Sequence, residues 1–511
     1  MKRHCLVVAS LLAALCLAAV PAGAGKKDDT LVWATDRDVP IADPYYLNVR
    51  ELLVIGHHVW DTLVIIDPKT AEIKPLLATK WTWVNATTLE LELRKGVKFH
   101  SGKVMDADDV VYTLNHVSNK DNAIANFALL AWIKSAEKID ADRVRVVLKN
   151  PFPAALAYLG GIAFIMEKGH YDSAPVKPDG RKDYGAVKPN GTGPYRITEV
   201  KPGDSISMVK NADYFKDGFK GDPKISKIKF RTIKDGNTRT AELMTGAVDW
   251  LWDVPKDQAE RIKANPAVVV ENTKTLRVSY LEFDVNGVSG QKFFTDKRVR
   301  QAVAHAIDRE SITKNLVGPA SVVAPSACHP DQFACASDVP KYAYDPAKAK
   351  ALLKEAGFPD GFEFDLYAYR EREYTEAVIG DLAKVGLKAK LNYMQYTAFV
   401  EAVQKGRTPI AHGTWGSNSI PDVSAMTAHF FLHGPDDLTK DAEVKKLIDE
   451  ADAHTDPDKR KAVWQKALAR IAAEAFWVPL FTYAKYYAFS KDLDFTPTSD
   501  EVPQYFAAKW K

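Results

Sequence analysis

From Leu93 to Val117 the chain reads LRKGVKFHSGKVMDADDVVYTLNHV. This stretch commits it to a fold that passes from strand to helix over short turns. Leu91, Leu93, Val97 and Phe99 alternate with polar residues around Gly96, the pattern of a strand edge followed by a turn. Gly102 turns the chain again. Asp106 is placed to cap a helix, and Asp108 and Asp109 put negative charge in its first turn, where the dipole favours it. Val110, Val111, Leu114 and Val117 then recur at helical spacing. A second stretch has the same character. Residues 362–369 read as a strand, 374–385 as a helix and 387–393 as a strand, a βαβ-like unit that predicts an α/β fold.

The chain has 511 residues, 46% hydrophobic and 26% charged, enough for large cores and more than one lobe. Lys2 and Arg3 precede an apolar run from Leu6 to Val20, followed by Ala22-Gly23-Ala24. That is the layout of a secretory signal with an A-x-A cleavage site, so residues 1–24 are expected to be removed on export. The run is too short for a good membrane span. Without it, 67 basic residues face 66 acidic ones, and clustered basic stripes are missing. A nucleic-acid partner is therefore not expected.

Cys5 and Cys16 lie inside the signal, leaving Cys328 and Cys335 in PSACHPDQFACAS. A close pair in an exported chain reads most simply as a disulfide closing a short loop. His329 between them suggests metal binding, but the spacing is not CxxC and there is no second pair. His429 and His433, four apart, would share a helix face without a carboxylate to complete a site. No G-x-S-x-G elbow, H-E-x-x-H pair or P-loop is found, so no catalytic residue is expected.

Further segments follow in a fixed order: Trp60-Asp61-Thr62-Leu63-Val64, Asn190-Gly191-Thr192-Gly193-Pro194-Tyr195, DKRVRQAVAHAIDRESITKNLVG at 296–318, YDPAKAKALLKEAGFPDG at 344–361, and Trp477-Val478-Pro479-Leu480. Asp296, Asp308 and Asp345 are each placed to cap a helix, with Pro346 at a first helical position. Together with residues 93–117, these segments resemble the extracytoplasmic solute-binding proteins of family 5, which serve dipeptide, oligopeptide and nickel ABC transporters.

The resemblance implies a periplasmic-binding-protein-like α/β fold of type II, cluster C, with two lobes joined by a hinge. Residues 28–275 with 480–511 would form the first lobe, 76–188 an inserted subdomain, and 276–479 the second lobe. It implies no catalysis and no cofactor. The implied role is a monomeric periplasmic protein that passes a peptide-like solute to an inner-membrane permease and its ATPase. In dipeptide-binding relatives an arginine just after a second-lobe strand pairs with the ligand carboxylate, which here matches Arg370, with Arg372 close behind. An aspartate three residues after a tryptophan pairs there with the α-amine. Trp415 matches the tryptophan, but Asn418 stands at the third position, and the following segment shortens to Ile420-Pro421-Asp422. An amide cannot neutralise an ammonium. That departure leaves open longer peptides, blocked or modified peptides, opine-like conjugates and sugars, and the alternative within the same transport role is a non-peptide solute such as an opine, an oligosaccharide or a chelated metal. An exported hydrolase is the alternative from another class.

Overall fold

The computed structural model describes residues 25–125 and 127–511; the expected signal segment lies outside them. Its spine is one ten-stranded sheet. In spatial order the strands are Leu387–Tyr393, Phe362–Ala368, Ile410–Trp415, Val268–Phe283, Trp477–Ser490, Trp250–Leu251, Thr30–Thr35, Lys227–Thr232, Ser205–Lys210 and Tyr195–Lys201. The βαβ unit is present: Phe362–Ala368 and Leu387–Tyr393 run parallel, joined by the helix Arg372–Ala383. A separate antiparallel sheet of four strands, Ala78–Asn85, Thr88–Leu93, Ile133–Lys138 and Arg143–Leu148, carries the helix Ala107–Val117.

Apolar burial falls into distinct cores. The largest gathers residues between Leu31 and Trp252 with Tyr487–Ala508. At its centre Trp33 packs on Phe230 at 4.7 Å and on Trp250 at 6.3 Å. Two further cores draw on residues between Val278 and Tyr483. The long strands Val268–Phe283 and Trp477–Ser490 pass between these territories as an antiparallel pair. The arrangement is a two-lobed α/β molecule with a hinge.

Local chemistry explains the elements. Asp106 accepts the Asp108 N–H and forms a capping box with Asp109. Asp296, Asp308 and Asp345 cap their helices through the N–H groups of Arg298, Ser311 and Lys348. Gly191 and Gly193 are needed for close approach: a Cβ would lie 2.1 Å from the Val59 carbonyl oxygen at Gly191, and 2.5 Å from the Val59 carbonyl carbon at Gly193. This packs the GTGPY turn against the end of the helix Arg50–Val59. Thr192 and Lys220 then close on the fully buried Asp61, at 3.0 and 2.6 Å.

Asp43 gives a pH-dependent contribution to stability. It is buried, and its carboxylate accepts the Tyr45 N–H at 2.8 Å and the Tyr171 hydroxyl at 3.0 Å. Burial nonetheless pushes its carboxyl up to about 7. The native state therefore keeps a proton that the unfolded chain releases above about pH 4. Stability from this group is complete below pH 4 and is lost as pH rises to 7, by about 4 kcal/mol. His57 and His58, held down to about 3 chiefly by burial, act in the opposite direction over much of the same window. The test is thus a difference between proteins. Between pH 5 and pH 7.5 the change in stability, read by urea unfolding, should be more favourable for Asp43→Asn than for wild type by about 2–3 kcal/mol. Equal changes would contradict this assignment.

Candidate functional site

Between the cores lies a cleft of about 830 Å³, its solvent-open mouth included. Sheet topology accounts for its position. Phe362–Ala368 and Ile410–Trp415 are parallel neighbours, and so are Thr30–Thr35 and Lys227–Thr232. Arg370, Trp415 and Arg37 all stand at or just beyond the carboxyl ends of such strands, where open α/β sheets bind ligands.

Two other arginines reach the cleft by different means. Arg277 sits where the long strand pair shifts register between Lys274 and Tyr280. A bulge of this kind re-aims a side chain. Its guanidinium donates to Thr414 Oγ1 at 3.0 Å and to Glu501 at 3.2 Å. Arg50 opens the helix Arg50–Val59, a position that opposes the helix dipole. That helix has no side-chain N-cap, so its first N–H groups have no intrahelical acceptor at the cleft wall. Arg50 donates to Ser419 Oγ at 2.5 Å, which links the first core to the loop beyond Trp415.

Glu501 lies behind these arginines, 1% exposed, in reach of Arg277, Arg50 and Lys485. Burial alone would raise its carboxyl, but the combined cations of Arg277, Lys485, Arg50 and Arg370 hold it well below the usual carboxylate range. Arg370 is less well served. Its side chain is 14% exposed, and among the described residues its one ion-pair contact is with Glu371 at 3.6 Å and its buried Nε has no partner. Burial disfavours the charge, yet Glu371, Tyr369 and Asp253 together hold the guanidinium firmly protonated.

The far wall is built from Trp415 and Asn418. Trp415 stacks on His429 at 4.1 Å, and its Nε1–H donates to the Ala425 carbonyl at 2.8 Å. Ser417, Asn418 and Ser419 have φ of 51°, 48° and 65°, three consecutive non-glycine residues in the left-handed region. Each such residue costs about 1–2 kcal/mol. Strain of this kind persists where the surroundings over-determine it, and it clusters at ligand clamps.

The structure brings Arg370, Trp415 and Asn418 together and places the other two expected contacts elsewhere. Arg372 lies on an exposed helix face, where it pairs with Glu376 at 2.7 Å. Asp422 is buried and accepts both terminal nitrogens of Arg460, at 2.6 and 2.9 Å. We therefore leave both out of the ligand set. Cys328 and Cys335 form a disulfide. Within its loop, Gln332 donates to the carbonyls of Ile420 and Asp422 and braces the segment after Asn418. His433 lies beyond the helix Ser424–Phe431, so it does not share a helix face with His429. Arg37, Arg50, Arg277 and Glu501 were not singled out from the sequence. The available signals were an arginine at a helix start and another leading the run VSYLEF.

Among the described residues no helix is long and apolar enough to cross a membrane, and no three His, Cys, Asp or Glu side chains are grouped to hold a metal ion. Comparison with known proteins is consistent in direction. Residues 72–437 match the bacterial extracellular solute-binding proteins, family 5, middle region. The glutathione-binding protein GsiB of Salmonella paratyphi A is 29% identical over 509 residues, covering 95% of this chain and 94% of that one. The periplasmic binding protein DppA of Helicobacter pylori, solved with the peptide STSA, superposes with a TM-score of 0.81 at 25% identity, covering 94% and 98% of the two chains. A dipeptide-binding protein from Pseudoalteromonas sp. SM9913, solved with Met-Leu, shares the fold with a TM-score of 0.83 at 24% identity, covering 94% and 100%.

Proposed function

Because this chain belongs to family 5 of the bacterial extracellular solute-binding proteins, we propose that it is the substrate-binding component of an ABC importer, holding a peptide-like solute in the cleft lined by Arg50, Arg277, Arg370 and Trp415. The observation that carries this reading is Arg370, a largely buried guanidinium without a hydrogen bond among the described residues, at the carboxyl end of a strand. A ligand carboxylate would give it the bidentate partner it lacks.

In this reading residues 28–275 and 480–511 move as one lobe and 276–479 as the other, with 76–188 as a subdomain of the first. The bulged strand pair Val268–Phe283 and Trp477–Ser490 is the hinge. A solute that touches both lobes favours the closed form by its differential contacts, and the closed form is what the permease accepts. The Arg50–Ser419 bond and the packing of Tyr158 beside Ile420 support a closed state held by contacts between lobes. Residues 1–24 direct the chain to the periplasm, and the mature protein acts as a monomer without turning its ligand over.

Isothermal titration with pooled di- to tetrapeptides tests this. One saturable site is expected, with the peptides recovered intact after hours of incubation. Cleaved peptides would favour a hydrolase, and absence of saturable binding would remove the peptide reading.

A further inference from the structure

We propose that the cleft selects solutes carrying at least two carboxylates and disfavours those that present a free ammonium to the Trp415–Asn418 wall. This rests on the peptide-like reading above and narrows it. Four guanidiniums line the cleft, from Arg37, Arg50, Arg277 and Arg370, and no acidic side chain among the described residues lines it. The acids around it are already engaged, Asp436 by His429 at 3.4 Å among them. Glu501 alone serves Arg50, Arg277 and Lys485. Asp253 is engaged by Lys485 at 3.0 Å, and Glu371 accepts the Tyr483 hydroxyl at 2.9 Å.

Hydrogen bonding repeats the pattern. Among the described residues Arg37 makes no side-chain hydrogen bond or ion pair, Arg370 makes only its 3.6 Å contact, and the buried Arg277 Nε has no acceptor. A buried guanidinium without acceptors is costly, and a carboxylate offers two planar oxygens to relieve it.

Two of the four cations, Arg50 and Arg277, already share Glu501 at 3.5 and 3.2 Å, and the two without such a partner, Arg37 and Arg370, come from opposite cores. Arg37 and Arg50 come from segments of the first core, beside the uncapped helix start that itself favours an anion. Arg277 and Arg370 are linked through Thr414, whose hydroxyl bonds both Arg277 and the Tyr369 hydroxyl that precedes Arg370 in sequence. A single carboxylate satisfies Arg370 or Arg37 and leaves the other without an acceptor. Two carboxylates at opposite ends of a short, peptide-like solute satisfy both. Asn418 adds the negative side of the selection. Whichever way its amide is turned, it is neutral and cannot compensate an ammonium, and Trp415 beside it is neutral as well.

The test is isothermal titration of the full mature chain with defined probes. These are glutathione, its glycine monoethyl ester, Met-Leu, trilysine and, as a dicarboxylate that is not a peptide, mannopinic acid. Glutathione is expected to bind about 100-fold tighter than its monoester or Met-Leu, and trilysine weakest. Arg37→Gln should fold as wild type and narrow the gap between glutathione and its monoester about tenfold. Met-Leu or the monoester binding as tightly as glutathione would overturn the charge selection and leave the peptide reading intact. Binding of mannopinic acid without any peptide would support the selection and overturn the peptide reading. Absence of binding by every probe would overturn both.

Discussion

Replacing Arg370 by methionine is expected to weaken binding of a carboxylate-bearing solute by about 100-fold or more while changing the stability of the ligand-free protein by no more than about 1 kcal/mol. In the empty cleft the guanidinium is largely buried and makes no hydrogen bond among the described residues, which opposes folding, whereas Glu371 at 3.6 Å and the neighbouring Asp253 favour its charge. Methionine, of similar volume, removes both opposing contributions at once. With solute bound, the same charge acquires a bidentate partner. Its removal then leaves the ligand carboxylate buried and unpaired, a loss of about 2–5 kcal/mol. Denaturation of apo protein and titration of ligand, measured on one preparation, separate the effects. A variant that loses affinity and stability together would make Arg370 a structural residue.

The largest effect on folding is expected at Asp422. Its carboxylate accepts two hydrogen bonds from Arg460, which is 3% exposed and also contacts Asp452 at 3.0 Å. Asp452 is itself pushed up to about 6 by burial against the pull of Arg460. Asp422→Ala would leave Arg460 with this one weaker partner. Breaking a buried pair from one side costs about 3–5 kcal/mol. The loss should appear in the denaturation midpoint with an unchanged slope. Affinity, measured where the variant is still folded, should change less than about tenfold, because Asp422 supports the loop from beneath. A large loss of affinity with normal stability would restore Asp422 as a ligand contact.

These two residues also mark how far the sequence could be read. Capping aspartates such as Asp106 and Asp345 were legible because a cap bonds an N–H two or three residues away. The cysteine pair was legible because its members stand only seven positions apart in a chain expected to be exported. Trp415 and Arg370 were legible by resemblance, each closing a recognisable strand. Asp422 was read as a site residue from its place shortly after Trp415, and its partner Arg460, 38 positions later in the helix Pro457–Ala473, leaves no local pattern. The glycines of GTGPY looked like turn formers, whereas their role depends on the carbonyl of Val59, more than a hundred residues earlier. Arg37, Arg50 and Arg277 were silent for the same reason. They meet only through sheet order and a bulge, and neither leaves a local pattern.

The central claim is that this cleft carries an anionic, peptide-like solute for import, and the most direct test is to ask what it holds. The mature protein, purified gently from periplasm, would be weighed by native mass spectrometry, and its cargo released by denaturation and fragmented. The account predicts bound masses that fragment as short peptides or peptide conjugates with two or more carboxylates, missing from the Arg370→Met variant. A neutral or cationic cargo retained equally by wild type and variant would contradict it.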